Sequence, residues 1–103
     1  MHKESPVVKL LSKLVSIPSI NPSLDRETVG CGEEPVTAFL EETSQNAGLV
    51  TERQKVATGR DNLLVRLPPV SEVKNRVLLA PHLDVVPAPL DAFIPKIIGN
   101  QLH

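Results

Sequence analysis

Val77-Leu78-Leu79-Ala80-Pro81-His82-Leu83-Asp84-Val85-Val86-Pro87 is the stretch on which the reading of this chain turns. Residues 76–80 form a short apolar run bounded by charge and proline, which predicts a buried strand. In extended chain, residues i and i+2 face the same side. His82 and Asp84 can therefore stand side by side at the end of that strand, where ligands commonly bind in α/β sheets. An imidazole is a good zinc ligand through one ring nitrogen. A carboxylate near the other nitrogen would fix the tautomer and raise the basicity of the ring. The spacing alone is a weak signal, and by itself it favours a surface or hydrogen-bonded histidine.

Upstream, Ser5-Pro6 reads as an N-cap followed by proline at the first helical position. Val7, Leu10, Leu11, Leu14 and Val15 then repeat at helical spacing, and Pro18 stops the helix. Residues 17–31 read as a loop. A second helix is expected from near Gly32, with Glu33 and Glu34 at its positive end and Pro35 in its first turn. Its apolar face is Val36, Phe39, Leu40, Thr43 and Ala47, and Gly48 is a plausible C-cap. Strands are expected over residues 49–56, 62–67 and 76–80, with a hairpin loop at 71–75. Gly99-Asn100 is a turn signal that predicts a last short strand pair within residues 94–102. The order of helix, helix, then strands predicts an α/β fold in which two helices pack on a mixed sheet.

The bulk numbers exclude several classes. A length of 103 residues allows one small domain. With 11 Lys+Arg against 12 Asp+Glu, and no run of like charge, nothing recommends nucleic acid or an anionic membrane as a partner. Gly59-Arg60-Asp61 is a lone turn and not a phosphate loop. Lys9 and Lys13 interrupt the apolar N-terminal stretch, so it does not read as a signal peptide, and no segment is long enough to span a bilayer. The expected location is cytoplasmic. Cys31 is the single cysteine, which excludes an internal disulfide and reads as a structural thiol. The two Phe, with no Trp or Tyr, are few rings for a complete core.

Leu78-Leu79-Ala80-Pro81-His82-Leu83-Asp84-Val85-Val86-Pro87-Ala88 closely resembles the first metal motif of the M20 metallopeptidase and deacylase family. That family includes acetylornithine deacetylase, succinyl-diaminopimelate desuccinylase, aminoacylases and carboxypeptidase G-type enzymes. Leu14-Val15-Ser16-Ile17-Pro18-Ser19-Ile20-Asn21-Pro22 is similar to the family's N-terminal helix and following loop. Gly32-Glu33-Glu34 through Gly48 fits its second helix, and Arg60 through Leu67 fits the strand before the motif. Asp91-Ala92-Phe93-Ile94-Pro95 and Gly99-Asn100-Gln101-Leu102-His103 look like the run towards its next motif, Gly-Arg-Gly-x-x-Asp. The resemblance implies that residues 1–103 are an incomplete N-terminal portion of a zinc-peptidase-like catalytic domain, with the dimerisation domain absent.

Carried over to these positions, His82 is implied as a ligand to one metal of a dinuclear Zn2+ pair, for which Co2+ can substitute. Asp84 is implied as the catalytic-site carboxylate that orients His82, followed by a cis peptide bond to Val85. The family's bridging Asp, its catalytic Glu and its other ligands have no counterpart in residues 1–103. Glu33, Glu34, Glu41 and Glu42 read as a helix terminus and a solvated face, and neither His2 nor His103 is assigned a role. Pro81 stands where the family usually has Gly, and Leu90-Asp91-Ala92 lacks the family's Trp and Pro. The implied reaction is hydrolysis of the amide bond of N-acyl amino acids or short peptides by metal-activated water, in enzymes that are often homodimers. Residues 1–103 alone are expected to be inactive. The alternative is a non-catalytic stand-alone remnant or interaction module derived from that family.

Overall fold

The computed structural model describes residues 4–24 and 32–103, so Cys31, His2 and the expected loop over residues 25–31 lie outside the described residues. Two helices, α1 (Pro6–Val15) and α2 (Glu34–Asn46), precede a hairpin of β1 (Val50–Ala57) and β2 (Arg60–Arg66). A 3-10 turn at Leu90–Phe93 leads to β3 (Ile97–Ile98) and β4 (Gln101–Leu102). The α/β class expected from the sequence holds. The mixed sheet does not: the described residues hold two separate two-stranded antiparallel sheets, β1-β2 and β3-β4.

Helix α1 starts at Pro6 after an extended Ser5, as expected. It ends at Val15, where the Ser16 hydroxyl turns back to donate to the Lys13 carbonyl at 2.6 Å. Much of its apolar face is uncovered, with Val7 73% exposed. Helix α2 closes in a Schellman motif, with Gly48 amide donating to Gln45 carbonyl and Leu49 amide to Ser44 carbonyl, both at 3.0 Å. Gly48 sits at φ +81, a conformation that a residue with a Cβ disfavours. On the inner side of α2, Val36 and Thr37 are buried.

The hairpin runs from Val50↔Arg66 to Lys55↔Asp61, then bulges before Ala57↔Arg60 and turns at Thr58-Gly59. Arg53 projects from β1 to α2, where its guanidinium donates to Glu34 at 2.9 Å and to Glu41 at 3.0 Å. It also reaches Asp61 across the hairpin at 3.3 Å. Arg60 binds Glu33 through two hydrogen bonds of 2.6 and 3.2 Å. These two arginines clamp helix to hairpin, because a planar guanidinium presents paired donors that match a carboxylate. Glu33 and Glu34 stand at the start of α2 as expected, but with Glu41 they are ion-pair partners, and Glu33 is buried.

The expected strand over residues 76–80 and the hairpin loop at 71–75 are not formed. The chain there has no regular secondary structure and pairs with no strand among the described residues. Val77, Leu78 and Leu79 are 83–88% exposed. An apolar run suits a strand covered on both faces, and no described element covers this one. The β3-β4 pair does form, with Gly99 at φ +63 in its first turn position, the pattern of a type II′ hairpin. The radius of gyration, 16.0 Å, exceeds the roughly 13 Å of a compact domain of this length. Among the described residues, the buried apolar centre consists of Ile20 and Val36.

Candidate metal-ligand site

The loop after α1 carries residues 19–21 alongside the motif. Ile20 forms a parallel bridge with Val85. Val85 amide donates to Ser19 carbonyl at 3.0 Å, and Asn21 amide donates to Val85 carbonyl at 2.9 Å. Gly32 amide closes on Ile20 carbonyl at 2.7 Å. Ile20 is fully buried, which explains why this polar-flanked loop holds a fixed path: an apolar side chain anchors it while its backbone groups pair with the motif.

This strap places Asn21 against Asp84. The Asn21 side-chain amide donates to Asp84 Oδ2 at 2.9 Å, while Asn21 Oδ1 accepts from the Ser23 amide at 2.8 Å in an Asx turn. The other Asp84 oxygen, Oδ1, lies 3.2 Å from His82 Nδ1. Nδ1 also lies 3.0 Å from the Asp84 backbone carbonyl. Both neighbours of Nδ1 are acceptors when Asp84 is ionised, so Nδ1 carries the proton in the neutral ring and Nε2 keeps its lone pair. The His82 side chain is 86% exposed and that of Asp84 30%, so Nε2 faces solvent while the carboxylate is set back into the fold.

Asp84 is held below the ordinary carboxylate range, first by the hydrogen bond from Asn21 and more weakly by His82. Arg60 is held above its ordinary value, chiefly by hydrogen bonding to Glu33, with Asp84 adding to the attraction. The acid of the motif therefore lies within the field of the second helix–hairpin clamp.

The sequence-expected pair is brought together: His82 and Asp84 face each other. The peptide bond from Asp84 to Val85 is trans, which corrects the cis bond implied by the resemblance. His103 stands apart at the end of the β3-β4 hairpin, where its backbone exchanges two 2.8 Å hydrogen bonds with Lys96. Among the described residues, no group of three or more His, Cys, Asp and Glu side chains could hold a metal ion. The donor set thus fits one share of a metal site, a single imidazole with its orienting acid, whereas a catalytic zinc takes three protein ligands.

Asn21, Arg53 and Arg60 were not singled out as partners by sequence reasoning. Asn21 and Asp84 are 63 positions apart, and no spacing rule connects them. Arg53 had a faint signal, since a strand with basic residues at 53 and 55 follows a helix with acids at 34 and 41, on one face. Comparison of the chain with family models, curated proteins and solved structures finds no match.

Proposed function

We propose that this chain is the N-terminal portion of the catalytic domain of a zinc-dependent amidohydrolase of the M20 type, acting on N-acyl amino acids or short peptides. The observation that carries the reading is the state of His82: its Nδ1 faces two oxygens of Asp84 and its Nε2 faces outward. A metal-ligating histidine adopts that arrangement, with the rear nitrogen bonded to a carboxylate or carbonyl. A bound metal would supply an acidified water and a polarised carbonyl. Nε2 of His82 would hold such a metal, while the Asp84 carboxylate keeps the proton on Nδ1 and the strap of residues 19–21 keeps Asp84 in place. The general base and the remaining ligands belong to chain beyond this portion, as does the dimerisation domain. A cytoplasmic location is part of the same proposal; no helix among the described residues is long and apolar enough to cross a membrane.

The test joins sequence and assay. The coding sequence past codon 103 is expected to continue into Gly-Arg-Gly-x-x-Asp and, later, paired glutamates. The product is expected to bind zinc and to release amino acids from N-acyl substrates, with both properties lost in His82→Ala. Residues 1–103 alone are expected to give no turnover. A frame that closes without those motifs, or a His82→Ala protein with full zinc content and activity, defeats the reading.

A second reading, a non-catalytic interaction module, is favoured by the uncovered apolar run at Val77, Leu78 and Leu79. It requires a partner whose binding depends on these three residues and is indifferent to His82→Ala.

A further inference from the structure

Asn21 does more in this fold than end a loop. The structure assigns it as the positioning residue of the His82–Asp84 pair: its side-chain amide pins one oxygen of Asp84 so that the other meets the rear nitrogen of His82. The inference deepens the amidohydrolase reading and rests on it for its functional meaning, although the chain of contacts stands by itself.

The argument is geometric. A carboxylate on an extended, partly exposed segment can rotate about χ1 and χ2, and a histidine that is 86% exposed gains little orientation from packing. Each needs a fixed partner. Asp84 Oδ2 receives the Asn21 amide at 2.9 Å, which leaves Oδ1 directed at His82 Nδ1 at 3.2 Å. Asn21 is itself fixed at three points. Its backbone amide donates to Val85 carbonyl, its Oδ1 accepts from Ser23, and its neighbour Ile20 is fully buried. The amide can present its NH2 group to Asp84 only because Oδ1 is committed to Ser23, which removes the ambiguity of an amide flip. A hydrogen bond to an ionised acceptor is also stronger than one to a neutral group.

The two functions of the Asn21 side chain can be separated. Asn21→Asp keeps the oxygen that accepts from Ser23 and replaces the donor facing Asp84 with a second acceptor of like charge. Asn21→Ala removes both. The readout is the tautomer of the neutral His82 ring in the 103-residue chain, followed by long-range nitrogen–proton correlation at about pH 8.5, above the ordinary histidine range. The Ser23 amide resonance reports whether the turn persists.

In the wild-type chain the Nδ1–H form is expected to dominate. In Asn21→Asp the ratio of Nδ1–H to Nε2–H is expected to fall about three- to tenfold, the range of one ordinary hydrogen bond, with the Ser23 resonance retained. Asn21→Ala should give at least the same fall, and Asp84→Ala should match or exceed it. If Asp84→Ala shifts the ratio and neither Asn21 variant does, Asp84 orients the ring unaided; the inference is overturned and the amidohydrolase reading survives. If no variant shifts it, the Asp84 carbonyl alone holds the ring, and the roles given to Asn21 and to the Asp84 side chain both fail. A wild-type ring in the Nε2–H form would overturn the inference and remove the metal-facing lone pair as well.

Discussion

Residues 34–66 and residues 67–87 differ in how they are held. In the first, a helix with a closed C-terminus lies on a hairpin paired from Val50↔Arg66 to Lys55↔Asp61, and two of its arginines bind four carboxylates, Glu33 just ahead of the helix among them. In the second, the apolar run at residues 77–79 lies bare, and among the described residues only Val85 is tied to another segment by backbone bonds. The contrast follows from the range of the contacts each requires. A hairpin and the preceding helix find partners within a few dozen residues, at low loop-closure cost. A strand that is apolar on both faces needs neighbours along both edges and layers above and below. His82 and Asp84 lie in the second region, at the point where the loop after α1 crosses to it.

That contrast can be broken most forcefully at its hinge. Ile20→Ala removes a fully buried side chain and should destabilise the strap by about 2–5 kcal/mol. In a hydrogen-exchange experiment the Val85 and Asn21 amides should lose protection, while β1-β2 keeps its own. Equal loss in the hairpin would mean that the two regions are one cooperative unit.

Arg53→Ala attacks the ordered side of the comparison. Three carboxylates lose a shared partner, and the cost should be about 1–2 kcal/mol for charged hydrogen bonds that are partly open to water. The urea midpoint of the helix–hairpin unit should fall, and added salt should narrow the gap between variant and wild type.

The smallest effect on stability belongs to the bare run. Replacing Val77, Leu78 and Leu79 together with serine should change unfolding free energy by no more than about 0.5 kcal/mol, because these side chains are exposed. Light scattering should show less self-association, since an uncovered apolar strand is a template for pairing. A large drop in stability would place these residues in a core.

Much of the local structure was legible in the sequence. Pro6, Gly48 and Gly99 set element boundaries through backbone chemistry, which acts within a few residues and leaves a pattern that can be read. The same holds for the i, i+2 relation of His82 and Asp84. The apolar run at residues 77–79 misled for a physical reason: hydrophobicity reports what a strand needs and not whether the neighbours are at hand. Asn21, Arg53 and Arg60 act through contacts set by tertiary folding, and a single sequence carries little sign of such pairs. The trans bond after Asp84 is what residue chemistry alone predicts before a valine, and the contrary expectation came from the resemblance.

Titration of the 103-residue chain with Co2+, followed by paramagnetic line broadening, reads out whether His82 presents Nε2 to a metal with Asp84 behind it. Weak binding is expected, with broadening centred on the His82 ring, abolished by His82→Ala and unchanged by His103→Ala. Broadening centred on the carboxylates of Glu33, Glu34 and Glu41, or persisting in His82→Ala, would contradict it.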